Sequence, residues 1–171
     1  MLTQDALRRI DHEIGKYPPD QKQSAVMSAL TIAQDQYGWL SVPVMDEVAR
    51  LLGMPPVAVY EVATFYSMYN TQPTGRFKLT LCTNLPCALQ GASAAAAHLK
   101  DKLGIDFNET TADRRFTLKE GECFGACGDA PVVLVNNKRM CSRMDTPALD
   151  ALLADLAAAA DRGEGAPQER E

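Results

Sequence analysis

The stretch Phe77-Lys78-Leu79-Thr80-Leu81-Cys82-Thr83-Asn84-Leu85-Pro86-Cys87 decides the fold. In its first half Phe77, Leu79 and Leu81 alternate with Lys78, Thr80 and Cys82, which predicts a half-buried strand. The strand runs directly into a cysteine, and Thr83-Asn84-Leu85-Pro86 then forms a turn-prone insert that can curl the two sulfurs of Cys82 and Cys87 toward one point. After a gap of 35 residues the pattern recurs. Phe116 and Leu118 alternate in a second strand that leads to Cys123 and Cys127, spaced C-x3-C and flanked by Gly121, Gly125 and Gly128. These glycines allow positive φ angles and a close approach of amide groups to sulfur.

Working outward, Ala88 to Leu103 reads as one alanine-rich helix ended by Gly104. Val132 to Val135 is a third strand, Asn136-Asn137 a turn, and Arg139 to Ser142 a returning fourth strand. Thr146 and Pro147 open a last helix with Leu149, Leu152, Leu153 and Leu156 on one face. The order β-α-β then β-β-α is that of a thioredoxin-like domain, with a cysteine loop after each of the first two strands.

Upstream the apolar period is helical. Leu7, Ile10, Ile14 and Tyr17 share a face that stops at Pro18-Pro19, and Asp20 with Gln23 resembles a capping box leading into Val26, Leu30, Ala33 and Tyr37. Gly38 stops that helix. A third begins near Ser41 or Pro43 and ends at Gly53, and Pro55-Pro56 open a fourth carrying Val59, Val62, Ala63 and Tyr66. Tyr60, Phe65, Tyr66 and Tyr69 are expected in helix core and interdomain packing. The expected organisation is an α+β chain: a helical domain over residues 1–72, a linker at Asn70-Thr71-Gln72-Pro73-Thr74-Gly75, a thioredoxin-like domain over residues 76–160, and a mobile tail over residues 161–171 with almost nothing to bury.

Composition narrows the function. The chain has 171 residues, 46% of them hydrophobic, enough for a packed core rather than disorder. A net charge of -5 and a pI near 5.1 exclude a surface built for nucleic acid or an anionic membrane, which requires surplus Lys and Arg. Neither a membrane span nor a signal or transit peptide is legible, so the five cysteines are expected in a reducing cytoplasm, free to bind metal. The chain has no C-x-x-C for thiol redox chemistry, no G-x-G-x-x-G and no P-loop, so any nicotinamide nucleotide must be held by another subunit.

Two thiolates from each of two loops can hold the two irons of a [2Fe-2S] cluster, with bridging sulfides completing each tetrahedron. Four thiolates also suit a structural zinc that staples the loops, although C-x2-C knuckles are its commoner spacing. A plant-type ferredoxin is a poor match, because its third cysteine follows closely after the second. His12 and His98 lie on predicted helices far from any cysteine, which excludes a Rieske centre and makes them surface or packing residues. Cys141 sits in the fourth strand as a small buried hydrophobe.

The segments QSAVMSALTIAQDQYGWL, PPVAVYEVATFYSMY, LCTNLPC and GECFGACGDAPVVLVNN carry a more specific message. Across roughly residues 5 to 158 the chain resembles the 24 kDa-type family of NADH:quinone oxidoreductase, the bacterial E subunit of respiratory complex I, a family of thioredoxin-like [2Fe-2S] ferredoxins. The resemblance implies that helices pack onto a ferredoxin domain and that Cys82, Cys87, Cys123 and Cys127 ligate the cluster, one pair per iron. It also implies a partner flavoprotein subunit that binds FMN, NADH and a [4Fe-4S] cluster, and a place in the peripheral arm on the cytoplasmic side of the inner membrane. The cluster would exchange one electron with that flavin, as a side reservoir off the main path to quinone. Pro131 falls where thioredoxin-like folds carry a cis-proline. Close relatives of the family serve NAD-linked hydrogenases and formate dehydrogenases.

Overall fold

The computed structural model describes residues 1–165, which fall into two compact units, Met1–Pro73 and a second that begins at Thr74. In the first, four helices follow one another: α1 Gln4–Ile14, α2 Val26–Tyr37, α3 Val42–Leu52 and α4 Pro56–Phe65. Their core centres on Ile10, Leu30, Leu40, Val48 and Val59, all essentially inaccessible. Thr3 caps α1, its hydroxyl accepting from the Ala6 amide at 3.2 Å. Gln36 is 1% exposed and is held from both ends: its Oε1 accepts from the Thr3 amide at 2.9 Å and its Nε2 donates to the Met1 carbonyl at 3.3 Å. A buried amide side chain needs such partners, and here it secures the start of α1 to α2.

Three expectations for this unit are corrected. Helix α1 ends at Ile14 rather than against Pro18, and Tyr17 lies beyond it, 40% exposed. No Asp20–Gln23 box forms; Lys22–Ala25 is a 3-10 turn without a side-chain cap, and wholly buried Ala25 fixes the entry into α2 by packing instead. Tyr69 is buried and donates to the Met27 carbonyl at 2.8 Å, but Phe65 is 79% exposed and Tyr66 40%, stacked edge-on against each other. Helix α4 ends at Phe65, so neither ring belongs to the helical face that Val59 and Ala63 bury.

The second unit is a four-stranded sheet in the order β2-β1-β3-β4, with β1 Phe77–Cys82, β2 Phe116–Gly121, β3 Val133–Val135 and β4 Arg139–Cys141. Strands β1 and β2 are parallel with Cys82 opposite Gly121, while β3 runs antiparallel to both β1 and β4. Asn136 and Asn137, at φ 50 and 57, make the tight β3–β4 turn. Helices α5 Leu85–Leu89 and α6 Ala92–Leu103 form the crossover from β1 to β2, and α7 Thr146–Asp161 closes the unit. Leu79, Leu81, Leu99, Leu118 and Leu149 are fully buried in the core shared by sheet and helices. The Ala130–Pro131 bond is cis, as the position of Pro131 implied.

Here too the structure differs from expectation. β1 is buried on both faces rather than one: Lys78 is 3% exposed, its pKa pulled down to about 8 by burial, with Lys119 adding to the effect. The single helix expected over 88–103 is broken. Cys87 turns inward within short α5, and Gly91, at φ 97, supplies the left-handed residue that lets α6 start in a new direction. Thr146 and Pro147 do open α7, and Asp145 caps it, accepting from the Ala148 amide at 2.9 Å. Of the tail expected over 161–171, Asp161 is the last residue of α7 and takes a 2.7 Å ion pair from Arg115, while residues 166–171 lie outside the described residues.

Candidate metal centre

Both cysteine loops leave the sheet at the same end. Because β1 and β2 are parallel and in register, Cys82 and Gly121 end their strands side by side, and the Thr83 amide continues the ladder by donating to the Gly121 carbonyl at 3.1 Å. Cys82 is fixed from the other side, where its amide donates to the Val132 carbonyl at 3.0 Å. Asn84 then caps α5, its Oδ1 accepting from the Leu85 amide at 2.9 Å, and one turn later Cys87 points into a small apolar cluster with Cys82, Ala92 and Val132. Cys82 and Cys87 are 2% and 1% exposed.

Cys123 and Cys127 occupy a looser loop and are both exposed. Their sulfurs are 3.5 Å apart. Gly125, at φ 77, turns its amide onto the Cys123 sulfur at 3.3 Å, the amide-to-sulfur contact that the glycine-rich sequence foretold. Phe124 leans back over Gly121 and packs against the apolar cluster around Cys82 and Cys87. A Cβ at Gly121 would stand 2.5 Å from the Phe124 ring and 2.7 Å from Thr80 Cγ2, so this close approach needs glycine.

The electrostatics join the pairs. Burial pushes the Cys87 thiol up to about 11, helped by hydrogen bonding and charge at Cys82 and by Cys127, while a main-chain hydrogen bond from Val132 works in the opposite direction. The Cys127 thiol is raised first by its hydrogen bond with Cys123, then by desolvation and by charge at Cys123 and Cys82. Charge on one pair therefore reaches the other, since Cys127 acts on Cys87 and Cys82 on Cys127, and bound cations would offset it. Among the described residues no three His, Cys, Asp or Glu side chains are grouped as a single-ion site needs. In a dinuclear cluster each iron takes two protein sulfurs, the number each cysteine pair supplies, whereas zinc draws four ligands to one point.

Sequence reasoning missed the side chains that link the loops. Thr83 Oγ1 donates to Glu120 Oε1 at 2.8 Å, and Asn84 Nδ2 donates to Glu122 Oε2 at 2.9 Å. The signal for Asn84 was present, since an Asn followed by Leu85-Pro86 is a helix-start pattern. The other expected residues fall as read. Cys141 is buried in β4, where desolvation raises its thiol, and all five cysteines are free thiols. His98 packs between α6 and α7 with its Nε2 2.8 Å from Asp150 Oδ1, and His12 lies on α1.

The sequence profile of thioredoxin-like [2Fe-2S] ferredoxins matches residues 10–157. The chain belongs to that family. Its cofactor is accordingly a [2Fe-2S] cluster, and the paired thiols with an amide on sulfur fit one. Among relatives, the E subunit (form 2) of NADH-quinone oxidoreductase from Rhizobium meliloti (strain 1021) is 47% identical over 150 residues, covering 88% of each chain. The E subunit of the same oxidoreductase from Rickettsia felis is 49% identical over 125 residues, 72% of this chain and 75% of that one. The solved NAD+-reducing [NiFe]-hydrogenase in its air-oxidised state shares the fold, at a TM-score of 0.70 and 24% identity over 81% of this chain. The match spans only 24% of the hydrogenase chain. No helix among the described residues is long and apolar enough to cross a membrane.

Proposed function

We propose that this chain is the electron-transferring E subunit of an NADH:quinone oxidoreductase, respiratory complex I, and that Cys82, Cys87, Cys123 and Cys127 hold its [2Fe-2S] cluster. The observation that carries the reading is the placement of two thiol pairs at the ends of adjacent parallel strands within the region matched by the family. When bound, the cluster supplies one-electron redox chemistry. The protein's part is to shield one side of it with the buried pair, to direct amides at sulfur, and to leave the Cys123–Cys127 side open to a partner.

That partner is a flavoprotein subunit carrying FMN, the NADH site and a [4Fe-4S] cluster, within the peripheral arm attached to the cytoplasmic face of the inner membrane. The surface around the site supports such docking. Leu85 and Leu89 stand one turn apart on α5, 68% and 77% exposed, on either side of inward-turned Cys87. Apolar side chains this exposed beside a redox centre are suited to burial in a subunit interface. The equivalent role in an NAD-linked hydrogenase rests on likeness of fold alone, whereas the relatives at 47% and 49% identity are named as E subunits of NADH-quinone oxidoreductase, so complex I is the preferred reading.

Anaerobic purification of the full chain, with iron, sulfide and zinc analysis and EPR of the dithionite-reduced protein, tests the assignment. The expected result is iron and sulfide in equal amounts, with a cluster signal that NADH elicits only after the flavoprotein is added. Zinc without an EPR-active cluster, or NADH oxidation by the isolated chain, overturns it.

A further inference from the structure

We infer that Asn84 is a positioning residue that latches the two halves of the cluster site together, setting the distance between the Cys82–Cys87 pair and the Cys123–Cys127 pair before any metal arrives. The inference rests on the proposed cluster ligands but concerns a residue that is not one of them. Asn84 uses both ends of its side chain. Its Oδ1 accepts from the Leu85 amide and so starts α5, the element that carries Cys87. Its Nδ2 donates to the carboxylate of Glu122, the residue immediately before Cys123. One amide side chain thus ties a ligand of the first pair to a ligand of the second. The backbone of Asn84 joins in, its carbonyl accepting from the Ala88 amide at 2.9 Å.

Neighbouring bonds support this role without duplicating it. The Thr83 amide and hydroxyl bind the Gly121 carbonyl and Glu120, holding the strand ends in register. They act before the loops diverge. The Asn84–Glu122 bond, between residues 38 apart in sequence, spans the loops themselves, as a directed contact beside the packing of Phe124. The second pair needs such a tether, because Cys123 and Cys127 are exposed and lack the packing that fixes Cys82 and Cys87. A hydrogen bond from a neutral donor to a carboxylate is about twice as strong as one between neutral groups.

The test is a four-protein cycle on the full chain: wild type, Asn84→Asp, Glu122→Gln, and the double variant. Asn84→Asp keeps the oxygen that caps α5 but removes the donor and sets two carboxylates against each other. In the double variant the introduced amide can donate to the introduced carboxylate, so the bond is restored in reverse with no change in net charge. The readouts are the rate of iron loss to a chelator and the midpoint potential of the reduced cluster. Asn84→Asp is expected to accelerate iron loss about two- to fivefold, the scale of losing one solvent-exposed hydrogen bond to a carboxylate. The double variant is expected to return most of the way to wild type in both rate and potential. Wild-type behaviour of Asn84→Asp would reduce Asn84 to a helix cap, and a labile double variant would show that the loss came from something other than the latch. Either result overturns the inference. If the wild-type chain holds zinc, the proposed function fails on metal analysis, and the same cycle read by zinc release still decides the latch.

Discussion

Cys82 and Cys87 are 2% and 1% exposed in a packed apolar cluster, one on the last residue of a strand and the other on a capped helix, whereas Cys123 and Cys127 stand exposed on a glycine-rich loop. The first pair is part of the fold: Ala92 and Val132 would hold its two side chains in place whether or not metal is bound. The second pair is placed by a few directed contacts, chiefly the Gly125 amide on the Cys123 sulfur and the bonds that reach across from Thr83 and Asn84. The same ligand chemistry is therefore obtained in two ways, by close packing on one side and by hydrogen bonding on the other. Packing resists change everywhere it reaches, whereas a hydrogen-bonded loop yields once one bond is lost.

Cysteine replacement gives the largest effect and tests the comparison directly. Alanine at any one of the four positions is expected to abolish cluster assembly, measured as iron and sulfide per chain and as loss of the EPR signal. The difference between the pairs appears in the metal-free chain. Cys82→Ala and Cys87→Ala each remove a buried sulfur and are expected to lower stability by about 1 kcal/mol, whereas Cys123→Ala and Cys127→Ala should stay within ~0.5 kcal/mol of wild type in urea unfolding. Four equal losses of stability would break the comparison, since the exposed pair would then be as much a part of the core as the buried one.

Much of this frame was legible because it is periodic or local. Alternation marked β1 and β2 and Asn136-Asn137 marked the hairpin, all of which the structure contains, and the cysteine spacing with its glycines marked two loops, which follow the ends of adjacent parallel strands. What escaped depends on contacts remote in sequence. Lys78 reads as the polar side of a strand, yet it is 3% exposed, because burial of the second face is decided by chain that no local pattern identifies. Alanine-rich sequence argued for one helix over 88–103, but inward Cys87 and left-handed Gly91 divide it into two. Tyr66 carries helical spacing without being buried, as it falls just past the end of α4. The Thr83–Glu120 and Asn84–Glu122 bonds join residues 37 and 38 positions apart, so only the in-register parallel strands bring them together.

A second test acts where the two pairs meet. Gly121 lies opposite Cys82 in the sheet, beneath the Phe124 ring that separates Cys123 from Cys127 in sequence. A methyl there would stand 2.5 Å from Phe124 Cζ, and Thr80 Cγ2 at 2.7 Å blocks a shift in the other direction, so the ring must move. Gly121→Ala is expected to cost about 1–3 kcal/mol through overpacking and to leave the cluster more accessible to a chelator. Gly128, with open space around its Cβ position, serves as the control: Gly128→Ala should leave both readouts near wild type. Comparable damage from both changes would mean that the loop responds to any lost flexibility and that the Phe124 contact has no special part.

The smallest effect is expected at Cys141, the thiol outside both pairs. It lies in β4 opposite Val133, packed against core residues of the second unit, and burial raises its pKa. Burial alone does not decide ligation, since it raises the Cys87 thiol as well; Cys141 differs in having no second cysteine within a C-x3-C or C-x4-C pair. Cys141→Ala trims one buried sulfur and should lower stability by no more than about 1 kcal/mol, with iron content, EPR signal and midpoint potential unchanged. This variant separates burial from ligation. Cys141 is buried much as Cys82 and Cys87 are and lies in the row of Leu81 and Val133, but it packs in the core shared by sheet and helices rather than in the cluster of Cys82, Cys87, Ala92 and Val132. If its replacement removed the cluster, a thiol of the sheet-and-helix core rather than one of the two loops would be a ligand, and the assignment of the four paired cysteines would have to be redrawn.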